Sequence, residues 1–440
     1  MNSVAQFVAP LIEAGWLSLL DYLAAHVLLC LVPAFFIAGA LSALIPKEAV
    51  TKYLGPRAPK LISYPAAALG GFVLAVCSCT ILPLFAGIWK RGAGLGPAIT
   101  FLFVGPAVNI LAIAYTGAAI GMDIAIARIV LSIIFGIAIG LVMAAVFKDE
   151  KTVGQEALFS GDAGVGPVIW AFFGLLVATL IAGTLQVSWL TRTWLSIGIP
   201  LELSPSSLAL LDSLHLNVQG VALIGLLALI GLAAYAGLQN VLERVNRWTW
   251  GTLALVVLTM LVAAPAVEST GSVVIGITGR FVTVGLLLAA IAITATRGLQ
   301  REELQTWLWE TWRFVKQIFP LLIAGVFVAG IVKVLIPQEW IQALAGRNTL
   351  LANLLGVLFG VFMYFPTLVE VPIARMFLEL GMHRGPLLAY LLADPVLSVQ
   401  SILVTSSILG RKRTALYVAL VTVFSTLAGW IFGLVLAATG

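Results

Sequence analysis

The chain has 440 residues, of which 61% are hydrophobic and only 10% charged, and its mean hydropathy is +1.10. These values exclude a water-soluble globular domain, because a charge at the bilayer centre costs about 2.5–3.5 kcal/mol and is therefore kept to loops. The net charge of +5 is scattered over short loops between apolar runs, so it points to no nucleic acid; the partner it implies is the lipid bilayer.

Taken in chain order, residues 4–21 read as an amphipathic surface helix within an N-terminal segment 1–23. Glu13 and Asp21, with no basic run before them, argue against a cleavable signal. About 20 apolar residues cross ~30 Å of hydrocarbon. That length predicts ten spans, at 24–45, 97–119, 124–147, 168–188, 217–239, 250–267, 279–296, 318–336, 386–408 and 414–438. The expected fold class is an all-α polytopic membrane protein. Two further apolar stretches are interrupted: 62–89 by Cys77–Thr80 and Pro83, and 349–379 by Pro366 and Pro372. Each either crosses completely or enters and leaves on one side. A polar linker occupies 148–167, the middle spans 168–299, and a loop with Pro200 and Pro205 lies at 189–215. Residues 300–317 alternate charge with tryptophan, predicting an interfacial helix with Trp307, Trp309 and Trp312 at the headgroups.

An internal repeat organises these elements. At an offset of 289 residues, 83–142 aligns with 372–431 without a gap. Pro83 meets Pro372, Gly92 meets Gly381, Gly96-Pro97 meets Gly385-Pro386, Pro106 meets Pro395, Gly121 meets Gly410 and Gly140 meets Gly429. Glycine and proline each fix a backbone feature, so their coincidence marks common structure. The repeats are taken as 24–147 and 318–440. If the interrupted segments are re-entrant, each repeat has three spans and four lie between, so the second copy is inverted. Loops 46–61, 90–91, 148–151, 243–247, 297–316 and 411–413 then share one side and hold 17 of the 24 Lys and Arg. The positive-inside rule makes that side cytoplasmic, in a multi-pass inner (plasma) membrane protein with both termini outside the cytoplasm. Inverted repeats with broken helices are a recurrent transporter architecture.

The repeats differ where chemistry would sit. Of three cysteines, Cys77 and Cys79 lie one residue apart at the first break, in Cys77-Ser78-Cys79-Thr80, opposite Pro366-Thr367-Leu368-Val369. Two soft sulfur donors at a helix break suit one soft acceptor, so Cys77, Ser78, Cys79, Thr80, Asn109 and Thr367 are the candidate substrate groups. The thiols would hold a metalloid as cargo. Cys30 reads as a small hydrophobe. Glu370, Asp394 and Arg375 are the candidate proton-coupling groups, because an acid in an apolar segment needs a wet cavity or a partner, and Arg375 can pair with either acid. Asp394 before Pro395 also suits a helix cap. No G-x-x-x-x-G-K-[ST] run is present, so secondary transport is expected and no cofactor is implied.

The run CSCTILPLFAGIWKRGAGLGPAITFLFVGPAVNILAIAYTG and the run MYFPTLVEVPIARMFLELGMHRGPLLAYLLADPVLSVQSILV resemble the ArsP-type predicted permeases (the DUF318 group). The resemblance covers 24–147 and 318–438, with Asp394 and Gln400 departing from the residues more usual there. It implies efflux of trivalent organoarsenicals such as methylarsenite, hence arsenic resistance, with the CSC cysteines carried over onto Cys77 and Cys79. It also implies a possible thioredoxin-like partner, and a homo-oligomer is a further expectation. Two other readings stand beside it. One is a membrane thiol redox protein that carries reducing equivalents or sulfur species. The other is a transporter of small sulfur-containing or anionic solutes.

Overall fold

The computed structural model of the chain describes residues 2–25, 29, 31–45, 47–74, 78–147, 166–184, 188–199, 217–269, 273–335, 344–363 and 370–439. Helices α1 (Asn2–Ala25) and α2 (Val32–Ala43) come first, followed by α3 (Lys47–Leu54), α4 (Lys60–Leu74), α5 (Ser78–Lys90), α6 (Leu95–Ala107), α7 (Ile110–Ala119) and α8 (Met122–Val146). The middle of the chain holds α9 (Pro167–Thr184), α10 (Ser188–Thr191), β1 (Thr193–Ile199), α11 (Val218–Leu238), α12 (Arg247–Ala263), β2 (Ala266–Ser269), β3 (Val273–Thr278) and α13 (Gly279–Gly298). After α14 (Arg301–Leu335) come α15 (Leu350–Met363), α16 (Glu370–Glu379), α17 (Arg384–Ala393), α18 (Val399–Leu409) and α19 (Arg411–Thr439).

Among the described residues six helices are long and apolar enough to cross a membrane: α8, α9, α11, α13, α14 and α19. The pair α6 and α7, bent by 46° at its break, makes a seventh if it is one span. The other three expected spans correspond to the shorter α2 and α12 and to the interrupted pair α17 and α18. The fold is thus an all-α polytopic membrane protein with broken helices, plus one small antiparallel sheet.

The chain divides into two compact units. One comprises Trp16–Ile45 and Gly164–Gln317. Residues 24–45, read from the sequence with the first repeat, group here with the middle spans. The 189–215 loop is not wholly irregular: β1 pairs with β3, and β3 with β2, all antiparallel. Nor is 300–317 a separate interfacial helix, since it forms the first half of the 35-residue α14. Trp307 and Trp312 are buried rather than exposed to headgroups. Trp307 Nε1 donates to the Phe36 carbonyl at 2.9 Å and its ring packs edge-on against Phe172. Trp312 Nε1 donates to Gln239 at 3.1 Å. Trp309 lies under the Lys316 ammonium, 5.2 Å away.

The other unit, Met1–Gly15, Pro46–Ala163 and Ile318–Gly440, contains both repeats. Its local chemistry is written twice. Gly92 and Gly381 close the turns after α5 and α16 with φ of 90° and 91°, where a Cβ is strained. Asn109 caps α7, its Oδ1 accepting from the Ala112 N–H at 3.3 Å. Ser398, its repeat mate, caps α18 by accepting from the Ser401 N–H at 3.2 Å. Each cap follows a break at Pro106 or Pro395, whose ring cannot donate a helix hydrogen bond. Where α6 crosses α8, a Cβ on Gly140 would stand 2.6 Å from the Gly96 carbonyl; where α17 crosses α19, one on Gly429 would stand 2.5 Å from the Gly385 carbonyl. The backbones touch, so only glycine fits.

The repeats run in opposite directions. Arg413, at the start of α19, lies 5.8 Å from the rings of Trp89 and Phe147, at the ends of α5 and α8. At the other end, Asp123 in the first turn of α8 pairs with Arg384 of α17 at 2.9 Å. Equivalent helices α8 and α19 are therefore antiparallel. Midway along them Phe135 meets Phe424, centroids 5.1 Å apart. These two residues are each other's repeat mates, so the pseudo-twofold axis passes between their rings.

Both interrupted segments are re-entrant. The N–H of Gly94, just past α5, donates to the Leu54 carbonyl, just before α4, at 2.7 Å, so α4–α5 begins and ends at the Arg413 end. Deeper in, a Cβ on Gly71 of α4 would lie 2.9 Å from the Gly105 nitrogen, and Ile81 of α5 covers Gly105 from the other arm. Gly105 sits about halfway along α6–α7, so both arms of the hairpin reach half depth. The second hairpin does the same from the Asp123 end. The His383 N–H donates to the Ala345 carbonyl at 2.9 Å, and Gly360 packs on Asp394, the mate of Gly105.

Candidate functional site

The second arm of each hairpin packs on the broken helix of the other repeat, α5 against α18 and α16 against α7. The two breaks and the described inner ends of the hairpin arms therefore meet at half depth. In the first hairpin the matched positions are apolar: Ile81 fills the space over Gly105, beside Phe101 on the same helix. In the second they are charged. Glu370 opens α16, Asp394 ends α17, and Tyr390 lies one turn earlier on α17; all three are 0% exposed.

The cation that meets them is Arg128, from the second turn of α8 in the other repeat, which is also 0% exposed. Its Nη2 forms an ion pair with Glu370 Oε1. Its Nη1 donates to Thr116 Oγ1 at 3.3 Å, and that hydroxyl donates to the Ala112 carbonyl at 2.7 Å. Asp394 of α17 lies in the same buried cluster, near enough to act electrostatically with Glu370 and Arg128 on Tyr390. One guanidinium and two carboxyls are thus held together away from water by both repeats.

Arg375 does not pair with Glu370 or Asp394. It pairs with Glu379 at 3.2 Å, both side chains being mostly exposed. Arg128 was the residue sequence reasoning missed, although a charge beyond the first turn of a 25-residue apolar helix signals a buried partner. Thr80 is fully buried in the first turn of α5. Thr100, beside the same break, donates to the Gly136 carbonyl at 2.9 Å. Gln400 is buried on α18, its Cα next to Gly325 of α14. Cys77, Cys30 and Thr367 lie outside the described residues, as do the side chains of Ser78 and Cys79, whose backbones form the start of α5.

A membrane protein with two inverted repeats, each a re-entrant hairpin, a broken helix and a straight span closing on a polar centre, has the build of a transporter. The comparisons agree. The chain belongs to the ArsP_1 family, described as "Predicted permease", whose model matches residues 14–434. It is 34% identical to the UPF0718 protein MJ0584 of Methanocaldococcus jannaschii over 436 residues, 98% of this chain and 99% of that one. No solved structure matches it.

Proposed function

We propose that the protein is a secondary permease that exports a soft, thiophilic solute, and that its cargo is a trivalent organoarsenical such as methylarsenite held by Cys77 and Cys79. The observation that carries this reading is where the C-x-C run falls. It lies between Gly71 and Ile81, the two hairpin residues that pack on Gly105 at half depth. A pair of thiols suits one soft acceptor, and two As–S bonds need no cofactor.

The chemistry balances without a redox partner. Methylarsenite carries two hydroxyls on arsenic; each thiol forms an As–S bond, and its proton leaves with one hydroxide as water. Two such bonds hold the solute less tightly than three, which favours release. Family membership supports a permease, and the resemblance of the CSC run favours this cargo.

Uptake of methylarsenite into everted membrane vesicles tests the reading. Cys77→Ser or Cys79→Ser should abolish uptake while the protein still accumulates in the membrane, and Cys30→Ser should leave it intact. Full uptake by the Cys77→Ser, Cys79→Ser double variant would remove the thiol mechanism. Arsenic recovered in a changed oxidation state would favour a thiol redox protein instead.

A further inference from the structure

The cluster of Arg128, Glu370 and Asp394 does more than hold the repeats together. Glu370, Asp394 and Arg128 are all 0% exposed, and a carboxyl kept from water is neutral unless it is paired with a cation. Three ionised groups would also leave an uncompensated negative charge in an apolar span, which costs several kcal/mol. One proton makes the cluster neutral as guanidinium, carboxylate and carboxylic acid.

We propose that Glu370 and Asp394 share one exchangeable proton against Arg128, and that the permease exchanges this proton for its cargo. The inference rests on the transport reading above and names its coupling site. Among the described residues, Asp394 and Tyr390 of α17 and Arg128 of α8 are the ionisable groups that face Glu370. Helix α7 contributes the neutral Thr116, and its one titratable side chain, Tyr115, is 42% exposed. On α16 itself, Arg375 and Glu379 neutralise each other at the surface.

The placement couples titration to movement. Glu370 starts the second arm of one re-entrant hairpin, whereas Arg128 belongs to the straight helix of the opposite repeat. While they touch, loss of the shared proton strands a charge away from water. When the hairpin moves away from α8, water reaches the acids and the proton can leave or enter. The repeat-matched positions Ile81, Gly105 and Tyr417 have no carboxyl group, so the twin hairpin contact carries no such proton.

The test uses the full-length protein in proteoliposomes with methylarsenite as probe. For one proton per cargo, a gradient of one pH unit should change the steady-state methylarsenite ratio by up to about tenfold. Glu370→Gln and Asp394→Asn should show residual transport indifferent to the gradient. Wild-type transport that ignores the gradient would overturn the coupling and leave the cargo reading standing. If no methylarsenite moves, the cargo reading fails, and infrared spectra of the purified protein judge the proton directly. A deuterium-sensitive carboxylic acid carbonyl band should be present in wild type and missing in both variants; no such band overturns the proposal. Because single variants can misfold, Arg128→Tyr, Glu370→Ile, Asp394→Gly is made as well, giving this site the residues of its twin. It should fold without the band, and a band surviving there assigns the proton elsewhere.

Discussion

Arg128→Leu separates the pairing seen in the fold from the one nearest in sequence. The substitution removes the only cation facing Glu370, with both side chains 0% exposed, and also the hydrogen bond from Arg128 to Thr116. Breaking a buried ion pair from one side costs about 3–5 kcal/mol, and the lost hydrogen bond adds about 1 kcal/mol. Protonation of the stranded acid offsets part of this, so the expected loss is about 3 kcal/mol. Adding Glu370→Leu removes the stranded group, and the double variant should lie within about 1 kcal/mol of wild type. The pair coupling is then about 2 kcal/mol or more. Arg375→Gln touches only an exposed pair, worth at most about 0.5 kcal/mol.

Reversible unfolding in mixed micelles, followed by tryptophan fluorescence, measures wild type, Arg128→Leu, Arg375→Gln and each of these two variants combined with Glu370→Leu. The reasoning is refuted if Arg128→Leu costs no more than Arg375→Gln. It is refuted equally if Glu370→Leu rescues Arg375→Gln and not Arg128→Leu.

Two further expectations follow from the repeat geometry. Single cysteines at Lys412 and Asp123, in a background lacking the native three, should be labelled by an impermeant reagent from opposite sides, with Lys412 cytoplasmic; equal labelling from outside would sink the inverted arrangement. His383 caps α17 by accepting from the Gly385 N–H through Nδ1 at 3.1 Å, and burial holds its imidazole below the usual range. The folded state thus prefers neutral His383, so its contribution is complete above about pH 6.5 and is lost as pH falls below that value. His383→Asn accepts without titrating, and its melting temperature should fall less than wild type between about pH 7 and about pH 5.

The legible parts of this fold were those written in backbone chemistry. The offset of 289 showed itself through matched glycines and prolines, and the structure puts those residues at turns, breaks and helix crossings. The offset also holds for Gly71 and Gly360, which pack on Gly105 and Asp394, outside the run where side chains still align. Pairings were harder. Arg375 stands five residues from Glu370, which on a helix is a rotation of about 140°, so the two point apart. Glu379, four residues on, shares its face and takes it. Arg128 lies in the opposite repeat, and only the antiparallel packing of the repeats brings it to the acid. Trp307 and Trp312 looked like headgroup anchors because charges surround them, yet they share one stripe of α14 with buried Leu308, Thr311 and Ile318. The sheet carried a signal in the β-branched run Val273–Thr278, but its partners were not readable.

The backbone of the repeat unit is close to symmetric and its chemistry is not. Phe135 and Phe424 meet on the axis, and the two hairpins contact the opposing broken helices in matching ways. What differs is the side chains at the contacts. Ile81 against Gly105 is an apolar contact, and its opening or closing changes no ionisation. Glu370 against Asp394 and Arg128 is a contact whose opening exposes acids, so its free energy varies with pH. A symmetric scaffold has no reason to favour either of its two exchanged conformations. Charge at one hairpin contact alone gives pH a hold on one half of the scaffold and not on the other.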